Sequence, residues 1–578
     1  MKNRRALIFI SIVFILSILL CACSERAPLA EITVTFNTDG GSNVSSVTDK
    51  TISTAPISKK TGHLLEGWYF DTKYEDRVEF PFLAGSTCTL YAKWTSLSKG
   101  NDNTEYALTD NGYEVTKLDK ESISIVIPDT YNNKPVIGIK ERSLINAYRN
   151  LKFLYIGKNV TYINQDFHTC LDLEEVMVSS DNDNFLVEDG VLYNSEKLIL
   201  YPNAKKEEVF TLSKPFSDTA FGNTLNLKKL ILDSGVSITG DEDFSVITSL
   251  QEFEVKQGLG NLFSDNGNLY LRIDNGIKLL SRPVSSTNST LRIVDNVTSV
   301  SKDALSIANN LEEIILGDNF TATDFVDALL DASNLEKITV NNSDIFSTKD
   351  GILYNVDKTE LYFFPASKTV EGGIFTIPEG VTNLGAFSFY ANKTLDEIIL
   401  PKTIESISSY AFSYADRLTK VTQKEDSNLV SIGDGAFSSC KKLEAVEVVN
   451  KIPPILGEYV FYGSTLAKVV IPDNTLAIYK HFWKESSINF SPTGKASPTF
   501  TVTFDLQGGE DLKDHNLIFE SNSLHGVLVE KEPYTEKDGF IFVGWYLNTQ
   551  GTGERITFPY IITDHVTLYA VWDIPIEK

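Results

Sequence analysis

A short leucine-containing pattern recurs along the middle of this chain and constrains its fold more than any other feature. The pattern is a leucine, two variable residues, an apolar residue, one variable residue and a second apolar residue; neighbouring copies lie 22 to 25 residues apart. The copies begin at Leu151, Leu173, Leu227, Leu250, Leu311, Leu335, Leu395, Leu443 and Leu466, with a partial copy at Leu418. Eight of these ten leucines follow a Phe or Leu by six residues, as in Phe412 and Phe437. A fixed period of this length is typical of a solenoid.

Each repeat is predicted to form one coil, with a short strand, a turn and an irregular arc that carries the bulky apolar residue. A single coil cannot bury its apolar side chains, so neighbouring coils must stack. The pattern, and the variant Ala436-Phe437-Ser438-Ser439-Cys440, resembles the BspA-type leucine-rich repeats of bacterial surface proteins. The resemblance covers residues 103–490 and implies an adhesin-like scaffold.

Three copies of a second motif interrupt this array. Asp189-Gly190, Asn266-Gly267 and Asp350-Gly351 each lie between an apolar segment and a Leu-Tyr pair. Because glycine adopts positive φ without steric cost, these pairs predict two-residue hairpin turns. We therefore expect three hairpins inserted into the solenoid.

Residues 32–95 and 500–573 match each other in their glycines and aromatic residues. Gly67-Trp-Tyr69 corresponds to Gly544-Trp-Tyr546, and Leu90-Tyr-Ala-Lys-Trp94 corresponds to Leu568-Tyr-Ala-Val-Trp572. Four of the five tryptophans lie in these motifs and are expected in the module cores. The modules resemble the internalin-type B-repeat, or Listeria–Bacteroides repeat, which implies a β-grasp-like fold. Residues 96–103 and 491–499 are predicted to be joints.

The N-terminus is predicted to direct export. Lys2, Arg4 and Arg5 precede an uncharged run over residues 6–20, too short to span a membrane readily but typical of a signal peptide. The following Leu20-Cys21-Ala22-Cys23 resembles a lipobox, which implies cleavage after Ala22 and acylation of Cys23. Residues 1–22 would then be the signal peptide and 23–31 a tether; the alternative is an uncleaved N-terminal helix.

Composition and motif content argue against several functions. The net charge of −25 disfavours nucleic acid as a partner, because phosphate backbones are repelled. The sequence has no phosphate-cradling glycine loop, and its six histidines lack metal-ligand spacing. We therefore expect no cofactor, no metal and no enzymatic activity. A catalytic site assembled from separated loops stays open.

The strands offer a candidate binding surface. The residue between the two apolar positions of each strand should point outward, beside a second outward position that is often charged. On a concave face these residues would form an apolar stripe beside a charged one, suited to an extended protein ligand. The alternative is a set of cross-strand contacts that only stabilise the sheet. The candidate binding residues are Tyr155, Met177, Ile231, Ile315, Ile399 and Val470.

Together these features predict a mainly β protein, a leucine-rich-repeat solenoid flanked by two small β-grasp-like modules. The predicted function is a non-enzymatic, adhesin-like lipoprotein at the outer membrane or cell surface. We expect a monomer, anchored in the membrane by lipid, that binds a protein on a host or neighbouring cell. Alternatives are a structural spacer or assembly component of the envelope, and a glycan binder or enzyme.

Overall fold

The structure is a computed structural model, and it describes residues 32–48, 51–53, 55–118, 122–141, 150–164, 167, 170–427, 429–473, 475–483, 488–493, 500–510, 523–526, 528–529, 531–562 and 565–574. The predicted signal peptide, the tether and Cys23 lie outside these residues. The chain divides into two compact units, Met1–Ser237 with Val246–Leu250, and Ile238–Ser245 with Gln251–Lys578.

The first module is a small β fold around Trp68. The strands are β1 (Val34–Asn37), β2 (Thr51–Ile52), β3 (His63–Tyr69), β4 (Phe82–Leu83) and β5 (Cys88–Ser96). β5 pairs in parallel with β1 and antiparallel with β3, while β2 pairs with β4. Trp68 is fully buried, and its indole N–H donates to the carbonyl of Pro56 at 2.8 Å. The predicted role of this tryptophan in the core is confirmed.

The solenoid begins with five strands, one of which lies directly against this module. They are β6 (Glu105–Leu108), β7 (Tyr113–Lys117), β8 (Ser124–Ile127), β9 (Thr130–Tyr131) and β10 (Lys134–Ile139). The hydroxyl of Ser124, on β8, donates to the carbonyl of Leu65 on β3 at 2.5 Å. The buried amide of Asn101 donates to the carbonyl of Ser124 and accepts from the N–H of Val126, both at 2.8 Å. The predicted joint at 96–103 is therefore hydrogen-bonded to the solenoid.

The remaining strands of the first unit are coil strands, which pair in parallel, and the antiparallel strands β14, β15 and β16 of one insertion. They comprise β11 (Phe153–Ile156), β12 (Tyr162–Ile163), β13 (Glu175–Val178), β14 (Phe185–Glu188), β15 (Val191–Asn194), β16 (Leu198–Leu200), β17 (Val209–Leu212) and β18 (Lys229–Leu232). β11 lies between β8 and β13, and β17 pairs with β18, all in parallel. The repeat leucines Leu151, Leu173 and Leu227 are fully buried, as predicted.

The second unit continues the same architecture. Its strands before the second module are β19 (Glu252–Val255), β20 (Leu262–Asp265), β21 (Asn268–Ile273), β22 (Gly276–Ser281), β23 (Thr290–Arg292), β24 (Val297–Val300), β25 (Glu313–Leu316), β26 (Lys337–Val340), β27 (Phe346–Lys349), β28 (Ile352–Asn355), β29 (Glu360–Phe363), β30 (Ile374–Thr376), β31 (Asn383–Leu384), β32 (Glu397–Leu400), β33 (Ser406–Ile407), β34 (Lys420–Gln423), β35 (Ser431–Ile432), β36 (Ala445–Glu447), β37 (Ile455–Leu456), β38 (Lys468–Ile471) and β39 (Phe490–Pro492).

Helical structure in this unit is short. The α-helices are α1 (Phe325–Ala328) and α2 (Leu476–Phe482), and 3-10 turns cover Leu329–Asp331 and Glu371–Gly373. A six-stranded sheet of coil strands has the order β30-β32-β34-β36-β38-β39, and a seven-stranded companion sheet runs β27-β28-β29-β31-β33-β35-β37. Each coil from β31 to β38 therefore contributes one short strand to each of two sheets.

A column of phenylalanine rings fills the arc side of the last coils. Phe389, Phe412, Phe437 and Phe461 stack with successive centroid distances of 4.9, 5.0 and 5.6 Å. Their interplanar angles are 18°, 3° and 11°, so the rings follow the repeat of the coils. The prediction that the bulky residue before each leucine is buried is confirmed here.

The three predicted hairpins are present, and each one ends a ladder of coil strands. The turn residues Asp189, Asn266 and Asp350 and the glycines that follow them all have positive φ, as a two-residue hairpin turn requires. The glycine carbonyls of the three turns accept the N–H of a coil strand, at Val176, Phe253 and Ile338 respectively. A hairpin tip thus occupies the place where the next coil strand would pair.

The second module repeats the first. Its strands are β40 (Phe500–Asp505), β41 (Ser523–Gly526), β42 (Leu528–Val529), β43 (Ile541–Tyr546), β44 (Tyr560–Ile561) and β45 (Val566–Asp573). The order β40-β45-β43 matches β1-β5-β3, with the same parallel and antiparallel pairings. Trp545 is fully buried and donates to the carbonyl of Pro533 at 2.7 Å, which reproduces the contact of Trp68.

Candidate functional site

The coil strands alternate as the sequence predicted. In β11, Leu154 and Ile156 are fully buried, whereas Tyr155 between them is half-buried. All six predicted residues have this partly exposed character: Tyr155, Met177, Ile231, Ile315, Ile399 and Val470. The strand face therefore offers part of each side chain to solvent.

The strand register brings two of these residues together. Tyr155 lies directly opposite Met177 on the neighbouring strand. Ile231, by contrast, lies opposite Thr211. In the second unit, Ile315 lies opposite Arg292 and Thr339.

In the last coils, too, the predicted apolar residues lie opposite polar residues of the neighbouring strands. Ile399 lies between Thr376 and Thr422, and Val470 lies opposite Glu447. Polar residues therefore alternate with the apolar ones along the strand face, and the hairpin tips end the strand ladders. The predicted apolar residues thus occur as one adjacent pair or singly.

The charged outward positions are largely paired with one another. Lys420 contacts Glu447 at 2.9 Å and Glu397 at 3.7 Å, and Lys337 contacts Glu313 at 2.7 Å. The hydrogen bond from Lys420 to Glu447 is the main reason that the pKa of this lysine is raised, against the opposing effect of burial. These contacts favour the alternative in which outward side chains stabilise the sheet.

A second surface, which the sequence interpretation missed, lies on the arc side of the last coils. It consists of exposed aromatic rings that flank the buried phenylalanine column. Tyr410, Tyr414, Tyr459 and Tyr462 expose 43%, 49%, 69% and 70% of their surface. With the adjoining Phe387 and Tyr390, we call these residues the aromatic surface.

The backbone turns these rings outward. Tyr410 and Tyr414 lie two residues before and two after the buried Phe412, and both have left-handed φ, 56° and 58°. Residues of an extended strand with this spacing would share the inward face. The left-handed turns place the two tyrosines on the surface instead. The sequence signal was Tyr410-Ala-Phe412-Ser-Tyr414, but it does not specify the dihedral angles.

The rings support one another across coils. Phe387 stacks on Tyr410 at 5.3 Å with an interplanar angle of 6°, and Tyr390 meets Tyr414 edge-on at 5.7 Å. A Cβ on Gly435, in the next coil, would lie 2.5 Å from the ring of Tyr410. Gly435 therefore leaves the space in which the Tyr410 ring lies. Such a surface can contact a partner through both ring faces and hydroxyl groups.

The described residues show no arrangement typical of metal binding. Among them, no three His, Cys, Asp or Glu side chains group as metal ligands. Cys170 and Cys440 are buried and form no disulfide, and burial raises the pKa of Cys440 to about 12. A thiol with this pKa is a poor nucleophile at neutral pH.

Stacked parallel coils with buried leucines define the class: this is a leucine-rich-repeat solenoid protein. Family comparison gives the particular type. Residues 213–268, 284–375 and 362–489 match the BspA type leucine rich repeat region in six copies. Residues 33–93 and 500–571 match the Listeria-Bacteroides repeat domain. The chain thus carries BspA-type leucine-rich repeats between two Listeria–Bacteroides repeat domains.

Several solved structures are similar over much of the chain. A leucine rich cell surface protein from Faecalibacterium prausnitzii is 17% identical, with a TM-score of 0.32, over 56% of this chain and 94% of that one. A leucine-rich repeat protein from Eubacterium ventriosum is 16% identical, with a TM-score of 0.25, over 70% and 86%. The pneumococcal vaccine antigen PcpA is 14% identical, with a TM-score of 0.23, over 69% and 98%. A comparison with curated proteins finds no match.

Within the described part of the chain, no helix has the length and hydropathy needed to cross a bilayer.

Proposed function

We propose that this chain is a non-enzymatic, adhesin-like scaffold at the cell surface that binds a protein on a host or neighbouring cell. The BspA-type repeat array supports an extended scaffold. The N-terminal lipobox supports export and anchoring through acylated Cys23, in the outer membrane or at the cell surface. A monomer with a single tether would leave the solenoid free to meet a partner.

The aromatic surface is the observation that carries this proposal. Soluble monomers rarely expose clustered large apolar groups unless these contact a partner. Tyrosine is well suited to such contacts, because its rigid ring supplies a large area at low entropic cost and its hydroxyl hydrogen-bonds. Energetic hot spots at protein interfaces are enriched in tyrosine for the same reason. We propose a second contact on the strand face, at the adjacent residues Tyr155 and Met177. Each of the other four predicted residues would contact the partner singly.

Binding of the purified, fluorescently labelled chain to intact animal cells and intact bacteria tests the proposal. We expect saturable binding that prior protease treatment of the cells abolishes. The paired substitution Tyr459→Ala and Tyr462→Ala should weaken it at least about tenfold, the loss expected for hot-spot side chains. Tyr459→Phe with Tyr462→Phe keeps the rings and should retain most of the affinity. Leu83→Ala, at an exposed residue of the first module, is the matched control.

A second variant compares the two surfaces. Replacing Ile231, Ile315 and Ile399 with Asp should leave binding largely intact if the aromatic surface is the main contact. If the folded triple variant loses binding while the paired Tyr459→Ala and Tyr462→Ala variant still binds, the binding site lies on the strand face instead. If the folded wild-type chain binds to no cell surface, the proposal is contradicted, and the alternative function of a structural spacer in the envelope is favoured. Binding that resists protease but is lost after periodate oxidation of the cells indicates a glycan partner.

The lipid anchor has its own test. Cys23→Ala should abolish labelling by a radioactive fatty acid and release the chain from the membrane fraction. Labelling that persists in this variant would contradict acylation at Cys23.

A further inference from the structure

A buried arginine occupies a place that aromatic residues fill elsewhere in this chain. Tyr201, Arg282 and Phe364 each precede the proline that follows a hairpin. Their backbone N–H groups donate to equivalent carbonyls one coil further along, at 2.7, 2.8 and 2.7 Å. All three side chains are buried, with 1%, 3% and 0% of their surface exposed. Arg282 thus places a positive charge where the other two hairpins have an aromatic ring.

The guanidinium of Arg282 is held by neutral hydrogen-bond acceptors. The guanidinium donates to the carbonyls of Pro283 and Asn288, at 3.4 and 2.8 Å, and to the Asn310 amide oxygen at 2.8 Å. Among the described residues, no carboxylate pairs with this charge. Burial lowers the pKa of Arg282 to about 10, which still leaves it protonated at neutral pH. A buried charge is ordinarily paired or bound to a ligand.

Arg282 lines a polar cavity of about 480 Å³. The other lining residues are Arg292, one leucine, three asparagines and four serines or threonines, and no carboxylate lines the cavity. This absence is notable in a chain with 77 acidic and 52 basic residues. The loop at 284–289 has only neutral side chains, whereas the equivalent loop after Tyr201 contains Lys205, Lys206, Glu207 and Glu208.

We propose that this cavity binds a small ligand bearing an oxyanion, such as a sulfate, phosphate or carboxylate group. Arg282 and Arg292 supply the positive charge. Both Nη2 hydrogens of Arg282 already donate to Asn288 and Asn310, so the guanidinium of Arg292 is the one that can offer an oxyanion two parallel N–H donors. The amides and hydroxyls supply further hydrogen bonds to the oxyanion and to polar groups attached to it. The volume lies in the usual range for small-molecule sites. This site is independent of the aromatic surface and of the proposed protein partner.

Calorimetric titration of the full chain tests the proposal, with sulfate, phosphate, acetate and glucuronate as ligands in a chloride buffer of matched ionic strength. We expect saturable binding of at least one of these anions, and none of glucose. Comparing glucuronate with acetate and the inorganic anions distinguishes an acidic sugar from a free oxyanion. Binding no tighter than the chloride background for all four would overturn the proposal.

Three variants assign the effect to the cavity. Arg282→Phe copies Phe364 and should fold normally but lose saturable binding. Arg292→Gln, at an exposed position on the rim, should weaken binding about fivefold to tenfold. Arg272→Gln, on the same hairpin but outside the cavity lining, should change nothing. Unchanged binding in a folded Arg282→Phe chain would overturn the proposal and show that Arg282 only holds the loop in place. If that variant does not fold, unchanged binding in Arg292→Gln would overturn the proposal by placing the bound anion outside this cavity.

Discussion

Removing one ring from the phenylalanine column should unfold the last coils locally. Phe437 is fully buried and stacks on Phe412 at 5.0 Å and on Phe461 at 5.6 Å. Truncating a buried phenylalanine to alanine costs about 3–5 kcal/mol through lost burial and the cavity left behind. Each aromatic contact adds about 0.5–1.5 kcal/mol beyond burial, so two lost contacts favour the upper end. We expect Phe437→Ala to lower the free energy of opening by about 5 kcal/mol.

Native-state hydrogen exchange measures the free energy of local opening at individual amides, and so can detect its decrease in the last coils. The amides of β34 and β36, in the coils on either side of the substituted ring, should exchange nearly four orders of magnitude faster at 25 °C, since about 1.4 kcal/mol corresponds to a tenfold change. Phe461→Ala removes the end of the column and one ring contact, so its effect should be about 1–2 kcal/mol smaller. Phe437→Leu keeps most of the apolar volume and should cost about 1–2 kcal/mol.

The exposed Tyr459 provides the reference. Tyr459→Ala should change the opening free energy by less than about 0.5 kcal/mol, because the side chain is largely in water. Equal exchange rates for Phe437→Ala and Tyr459→Ala would refute the idea that stacked rings hold the coils together. Faster exchange confined to the first module would also contradict it.

Further predictions concern buried ionisable groups. In the first module Lys93 contacts the buried Glu66 at 2.6 Å, where the second module has Val571 and Val543. Lys93→Met should destabilise the module by about 3 kcal/mol in urea denaturation, whereas replacing both residues with valine should restore or increase its stability. Burial opposes the charge of Lys93, but the hydrogen bond and charge of Glu66 outweigh it, so the pKa is raised above 10.5. The pair therefore stabilises the module below this pH, and thermal stability should fall as the pH rises through the raised value. Cys440 should resist iodoacetamide at pH 8 in the native chain and react only on unfolding, as peptide mass spectrometry can show; rapid native alkylation would contradict its burial.

Much of the architecture could be predicted from the sequence because it is encoded in local periodicities. The leucine period fixes the coil, the matched Gly-Trp-Tyr motifs identify the two modules, and the three Asp-Gly or Asn-Gly pairs identify the hairpins. Each signal reflects a requirement that holds within a few residues, such as burial of alternate side chains or positive φ at a turn.

The binding surface was harder to predict because it depends on contacts between coils. The sequence cannot show that the tip carbonyl of Gly190 ends a ladder at Val176. Similarly, Tyr410 points outward only because its backbone adopts left-handed φ and Gly435 leaves space for the ring. Arg282 has the sequence context of Tyr201, and its buried charge becomes evident only from its surroundings.

The contact between the first module and the solenoid affects how copies of this chain can associate. β3 lies against β8, the outermost strand of its sheet, and an uncovered outer strand would otherwise pair with another molecule. At the far end, β39 is three residues long and ends in Pro492, which has no N–H to donate. Strand addition is thus hindered at β8 and at β39. Copies of this chain should therefore not readily extend one another's sheets through these two strands.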